Sequence, residues 1–171
     1  MRRPTLMRLA LGGAALVLVL VSSAFGRAEP IGTYRPLLGP DALTNGCYPL
    51  ADGIELDFPY QVRGDRDLPA GGGVRRRVVL QWDELSTADL EAALDRSLRA
   101  AGYEPAGPLA WAKGAHSVTA RVSELPDLPE DAVVRGTVVL DLPATSLAST
   151  DPVCADPYST KRFPPKPREF P

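Results

Sequence analysis

Three groups of side chains in this 171-residue sequence could catalyse, ligate or cross-link: one histidine, His116; two cysteines, Cys47 and Cys154; and five carboxylates between positions 52 and 67. Nucleophilic catalysis by serine or cysteine needs a base within hydrogen-bond reach, ordinarily a histidine. No Gly-x-Ser-x-Gly elbow accompanies His116, and the neighbouring Gly114 predicts a hairpin turn, so His116 reads as an exposed turn residue. The carboxylates Asp52, Glu55, Asp57, Asp65 and Asp67 could serve glycoside hydrolysis or hold Ca²⁺, but their spacing matches no EF-hand loop. A solvated acidic loop is the plainer reading. With a single histidine, a Cys/His zinc site lacks ligands, and neither cysteine lies in a Cys-x-x-Cys motif or beside His or Lys. The two cysteines are therefore expected to pair, closing a loop of roughly 100 residues with a stabilisation of about 4 to 5 kcal/mol in the chain-entropy model. Trp82 and Trp111 could stack on a carbohydrate, but both fall at apolar-phase strand positions, which predicts core packing.

Charge narrows the partners. The chain holds 19 basic and 21 acidic residues, and Arg2, Arg3 and Arg8 are the only charged residues before Arg27, so the portion from Arg27 onward carries a net charge of about −5. The basic run Arg75-Arg76-Arg77 has no interleaved aromatics to stack on bases, and nucleic acid is not expected as a partner. Residues 64–73 read as a turn-rich loop, and its Gly71-Gly72-Gly73 lacks the following Lys-Ser/Thr and helix of a phosphate cradle and reads as flexible. No cofactor is implied. Arginine outnumbers lysine 16 to 3, a bias that points to a high-GC bacterial source.

Residues 1–8 are basic, and 9–25 form an uninterrupted apolar run, the pattern of an export segment over 1–26. Small-x-small sites near Gly26 favour cleavage, whereas the length of the run favours a retained membrane anchor with its N-terminus in the cytoplasm. Either outcome puts the remaining chain outside the cytoplasm, where disulfides form. If uncleaved, residues 9–25 make the membrane itself a partner. Residues 27–45, rich in proline and glycine, read as a spacer, residues 46–155 as the folded domain, and 156–171 as an extended, disordered proline-rich tail. Within that tail, Lys161 to Arg168 fits a polyproline-groove ligand, although a solvated terminus is favoured.

The elements that must position any site follow from periodicity. Alternation at Ile54, Leu56 and Phe58 predicts an edge strand stopped by Pro59, and Val78, Leu80 and Trp82 predict a strand over 77–82. Ser86 is placed to cap a helix through the Asp89 amide, with Leu90, Ala93, Leu94, Ser97, Leu98 and Ala101 as its apolar stripe and Gly102 as its stop. Strands are expected over 109–113, 116–125 and 133–142. The fold class is therefore α+β: a small antiparallel or mixed sheet in the order β-α-β-β-β, one helix on one face, and a further edge strand near 54–58. The face opposite the helix should be polar and accessible, carrying Arg77, Gln81, Thr119, Arg121, Arg135 and Thr137, with Thr119, Arg121, Arg135 and Thr137 as the candidate interaction face.

These readings favour an exported or membrane-anchored bacterial cell-envelope protein that is noncatalytic and binds an envelope protein or ligand. The alternatives are a small extracytoplasmic hydrolase using Asp and Glu, and an accessory subunit of a membrane complex whose apolar helix contacts partners.

Overall fold

The computed structural model describes residues 16–17, 39–71, 73–129 and 132–163. Leu16 and Val17 are helical and exposed. The rest of the apolar run, the spacer up to 38 and the basic proline motif from 164 lie outside the described residues. Among the described residues, no helix is long and apolar enough to cross a membrane.

Among the described residues the domain is α+β, with one six-stranded, wholly antiparallel sheet and one main helix. In chain order the strands are β1 (Tyr60–Ala70), β2 (Gly73–Asp83), β3 (Glu104–Gly107), β4 (Ala110–Lys113), β5 (His116–Glu124) and β6 (Val134–Pro143), with helix α1 (Thr87–Ala100) between β2 and β3. Across the sheet the order is β1-β2-β6-β5-β4-β3. After the β1–β2 hairpin, α1 carries the chain to the far edge. The meander β3-β4-β5-β6 then returns until β6 pairs with β2.

Helix α1 starts where its cap predicts: Ser86 Oγ accepts from the Asp89 amide at 3.1 Å. Its stripe Leu90, Ala93, Leu94, Ser97 and Leu98 is buried against the sheet. At the far end Gly102 adopts φ +84°, and the Tyr103 amide returns to the Leu98 carbonyl at 3.0 Å, satisfying an orphan acceptor of the last turn. The sheet supplies Val62, Val78, Leu80, Trp82, Val138 and Leu140 to the same core, which Leu50, Ile54 and Phe58 complete.

Two stretches differ from the sequence reading. Residues 54–58 are not an edge strand. Ile54 and Phe58 are buried and Leu56 is half-buried, while the Asp57 amide bonds Ser97 Oγ of α1 at 3.1 Å. One-sided burial gives an extended segment crossing a core the same alternation as a ladder strand, so the pattern alone does not distinguish them. The edge strand is instead β1, and the turn-rich loop expected over 64–73 is largely its hairpin with β2. Pro69, a register shift between Val62 and Gly64, and the charges of Arg63, Arg66 and Asp67 disguise β1 in the sequence, and an edge position tolerates all of them. The four-residue β3 also escapes, being exposed throughout and too short to show a period.

The flanks of the sheet are tied together. Cys47 and Cys154 form a disulfide, with Cα atoms 5.3 Å apart. Beside it the Ala148 amide donates to the Cys47 carbonyl at 2.9 Å, and Asn45 Nδ2 donates to the Ser159 carbonyl at 2.8 Å. Residues 41–45 thus pack on the domain, with Ala42 fully buried, and the described chain continues past 155 through the short helix α2 (Pro157–Thr160). A disulfide is compatible with an extracytoplasmic location.

Gly136 of β6 lies directly opposite Trp82 of β2. A Cβ at Gly136 would overlap both the Trp82 ring and the Ser123 carbonyl oxygen, because the indole lies across the bare backbone. Gly136→Ala is expected to destabilise the domain by about 3 kcal/mol, the upper end of ordinary overpacking. Chemical denaturation checks this, and a loss below about 1 kcal/mol would mean that the indole has room to move.

Candidate functional site

The described structure disperses the five carboxylates. Asp65 is fully buried on β1 and receives both Nε and a terminal nitrogen of Arg76, at 2.9 and 2.7 Å. Arg76 is itself fully buried, since it shares the strand phase of Val78, Leu80 and Trp82. Its remaining N–H groups reach the carbonyls of Tyr48 and Pro49 and the hydroxyl of Thr145, so all five donors are used. Arg162 bonds Asp65 and Asp67, at 2.7 and 2.5 Å, and stacks over the Tyr48 ring. Two of the five carboxylates therefore serve as cross-links between β1, β2 and the two flanks. Glu55 and Asp57 are exposed. Among the described residues, no group of three or more His, Cys, Asp or Glu could hold a metal ion.

Asp52 has another set of partners. Held at φ +55° in a tight turn (Ala51–Gly53), it accepts from the Tyr103 hydroxyl at 2.5 Å and lies 2.7 Å from His116 Nδ1. His116 is half-exposed at the start of β5, as its turn position predicts, but it is held by this carboxylate rather than left free in solvent. The Tyr103 hydroxyl first and His116 second hold the Asp52 carboxyl below its ordinary 3.8. Burial first and Asp52 second push the Tyr103 hydroxyl above its ordinary 10.0. A depressed carboxyl pKa stabilises the fold above the unfolded value, and that contribution fades as pH falls through the folded value. Tyr103→Phe is therefore expected to destabilise the domain at pH 7, with the deficit shrinking as pH drops below 3.8. Urea denaturation at several pH values measures this, and a pH-independent deficit would remove the carboxylate from the account.

The face of the sheet turned away from α1 holds the other polar cluster. Register places Arg66 of β1, Arg77 of β2, Asp141 of β6 and Thr119 of β5 in one row across four strands. The next row toward the β1–β2 turn holds Leu68, Arg75 and Pro143, and the row on the other side holds Val79, Val139 and Arg121. Beyond that lie Gln61, Gln81, Thr137 and Ser123, while Arg135 falls on this face by alternating with buried Val134 and Gly136. All four residues of the expected interaction face are thus on one side of one sheet. Thr119 and Arg121 are exposed and Arg135 and Thr137 half-buried, whereas Gln81 is buried, so the expected accessibility holds for only part of the face.

Comparison with protein-family models, curated proteins and solved structures gives no match.

The arrangement of charge on this face is specific. Arg77 places Nε and a terminal nitrogen on one Asp141 oxygen, at 3.1 and 2.8 Å. Arg121 approaches the same oxygen only to 3.8 Å, and its side chain is 67% exposed, which leaves its guanidinium open to a ligand. Arg75 is committed to the Ser117 and Asp141 carbonyls, at 2.8 and 2.9 Å, and braces β2 against β6 and β5. Sequence reasoning found Arg77, Arg121 and Arg135 on this face but missed Arg66 and Arg75. Continuing the Arg77 alternation back through Arg75 would have found the second. Arg66 is out of reach of the alternation, because Gly64, Pro69 and Gly71 give its strand the composition of a loop. Trp82 and Trp111 are both buried, as their phase predicts, and offer no stacking platform.

Proposed function

We propose that this protein is a noncatalytic binding domain of the bacterial cell envelope, exported or anchored by its N-terminal segment, which works through the open face of its sheet. The observation that carries this reading is the concentration of arginine and hydroxyl side chains on the face opposite the helix, where exposed Arg66 and Arg121 and half-buried Arg75 and Arg77 lie about the carboxylate of Asp141. Such a face is rigid, because each side chain stands on a ladder strand. Arginine on a rigid face offers planar donors to carboxylates or phosphates with little ordering cost. The hydroxyls of Thr119 and Thr137 add donors and acceptors that adapt to a partner.

The test is retention of envelope material by the full-length protein. Arg121→Ala with Arg135→Ala is expected to reduce capture of the partner from solubilised envelopes at least tenfold, the size of a hot-spot truncation, while the melting temperature stays within a few degrees. Unchanged capture with an intact fold would reject this face as the binding surface.

A further inference from the structure

The open face is more than basic. Its middle row holds Val79 and Val139 side by side, both half-buried, with half-buried Leu68 and Pro143 one row beyond the arginines. Arginines flank these apolar positions on one side, with Arg66 and Arg77 in the adjoining row, Arg75 in the next and Arg121 beside Val139, while the row on the other side of the valines holds Gln61, Gln81, Thr137 and Ser123. Strands lie about 4.8 Å apart and same-face residues along a strand about 7 Å apart, so this is a broad, nearly flat surface rather than a cleft for a small molecule. An apolar centre with an arginine-rich surround is the composition of a protein–protein interface, in which charged groups sit at the rim and arginine supplies hot spots. A pure polyanion would have no use for the valine pair. The sign of the patch also opposes the rest of the chain, which from Arg27 onward carries a net charge of about −5.

Resting on the binding reading above, we infer that the occupant of this face is a protein whose own surface presents carboxylates around an apolar patch. Its Asp and Glu side chains meet Arg66 and Arg121, the two exposed guanidinium groups of the cluster, and its apolar centre covers Val79 and Val139. Asp141, already held by Arg77 and 3.8 Å from Arg121, repels a misplaced acid.

The experiment places a photo-crosslinking amino acid at Thr119 or at Ser123, both exposed on this face, in the full-length protein in its native envelope. Adducts are identified by mass spectrometry and compared with those of the double variant Arg66→Glu, Arg121→Glu. The expected result is a protein adduct whose cross-linked peptide carries Asp or Glu and whose yield falls at least tenfold in the double variant. The same loss with Arg66→Gln, Arg121→Gln, at an unchanged melting temperature, separates lost binding from misfolding. Adducts to lipid or glycan alone, or a protein adduct indifferent to the arginine changes, would overturn the acidic-protein partner while leaving a binding face. Absence of adducts from both positions would overturn the binding reading itself.

Discussion

Replacing Arg76 with alanine is expected to destabilise the domain by about 3 to 5 kcal/mol, the cost of removing one member of a buried ion pair. The guanidinium and the Asp65 carboxylate are both fully buried, and Arg76 also holds the Tyr48 and Pro49 carbonyls and the Thr145 hydroxyl. Truncation leaves Asp65 with Arg162 as its remaining charged partner and strips the Tyr48 carbonyl of this donor in a place water does not readily reach. Arg76→Met combined with Asp65→Leu removes both charges together and should recover much of the loss, because apolar replacement of a whole buried pair is often near neutral. Urea or guanidinium unfolding of the single and double variants measures both quantities. A single-variant loss within 1 kcal/mol would show that the flanks do not depend on this side chain.

Removing the Cys47–Cys154 bond by Cys47→Ser with Cys154→Ser is expected to cost about 4 to 5 kcal/mol in the chain-entropy model. The two positions are 107 residues apart, so the closed loop contains every strand of the sheet, and the unfolded chain regains the largest share of its freedom when the ring opens. In the folded state Cys47 is fully buried and Cys154 nearly so, which shields the bond from reductants until the flanks open. Denaturation of the serine pair against the oxidised protein tests the magnitude, and equal midpoints would sink it. Because Tyr48 and Pro49 adjoin Cys47, the effects of opening the ring and of Arg76→Ala should not add. Once the flank is released, Arg76 has less left to hold.

Much of this fold was legible because its signals are local. The Ser86 cap, the stripe from Leu90 to Leu98 and the stop at Gly102 act within a few residues of one another, and the helix forms between them as read. Alternation marked β5 and β6 and the core phase of β2, since a strand with one wet face repeats every second residue whatever its neighbours are. With only two cysteines in the chain, the disulfide followed by arithmetic. The same alternation already put Thr119, Arg121, Arg135 and Thr137 on a common face, although it carried no information about which strands would lie side by side.

The tertiary structure decided everything that depends on contacts between distant residues. The register shift between Val62 and Gly64 changes the phase of β1, so that Asp65 faces inward to meet Arg76; no pattern in the sequence pairs the two. The phase of Arg76 argued for burial, while its charge argued for solvent. Only a carboxylate, two backbone carbonyls and the Thr145 hydroxyl, brought from other segments, resolve that conflict, since a buried guanidinium is tolerated when every donor has a partner. Likewise Asp52 lay within an apparent acidic cluster along the chain but is separated from it in space, bound to Tyr103 and His116. Periodicity reports which side of an element is buried, because burial is a property of one face. The partner on that face is set by strand order and register, which are fixed only when the whole sheet closes over its core.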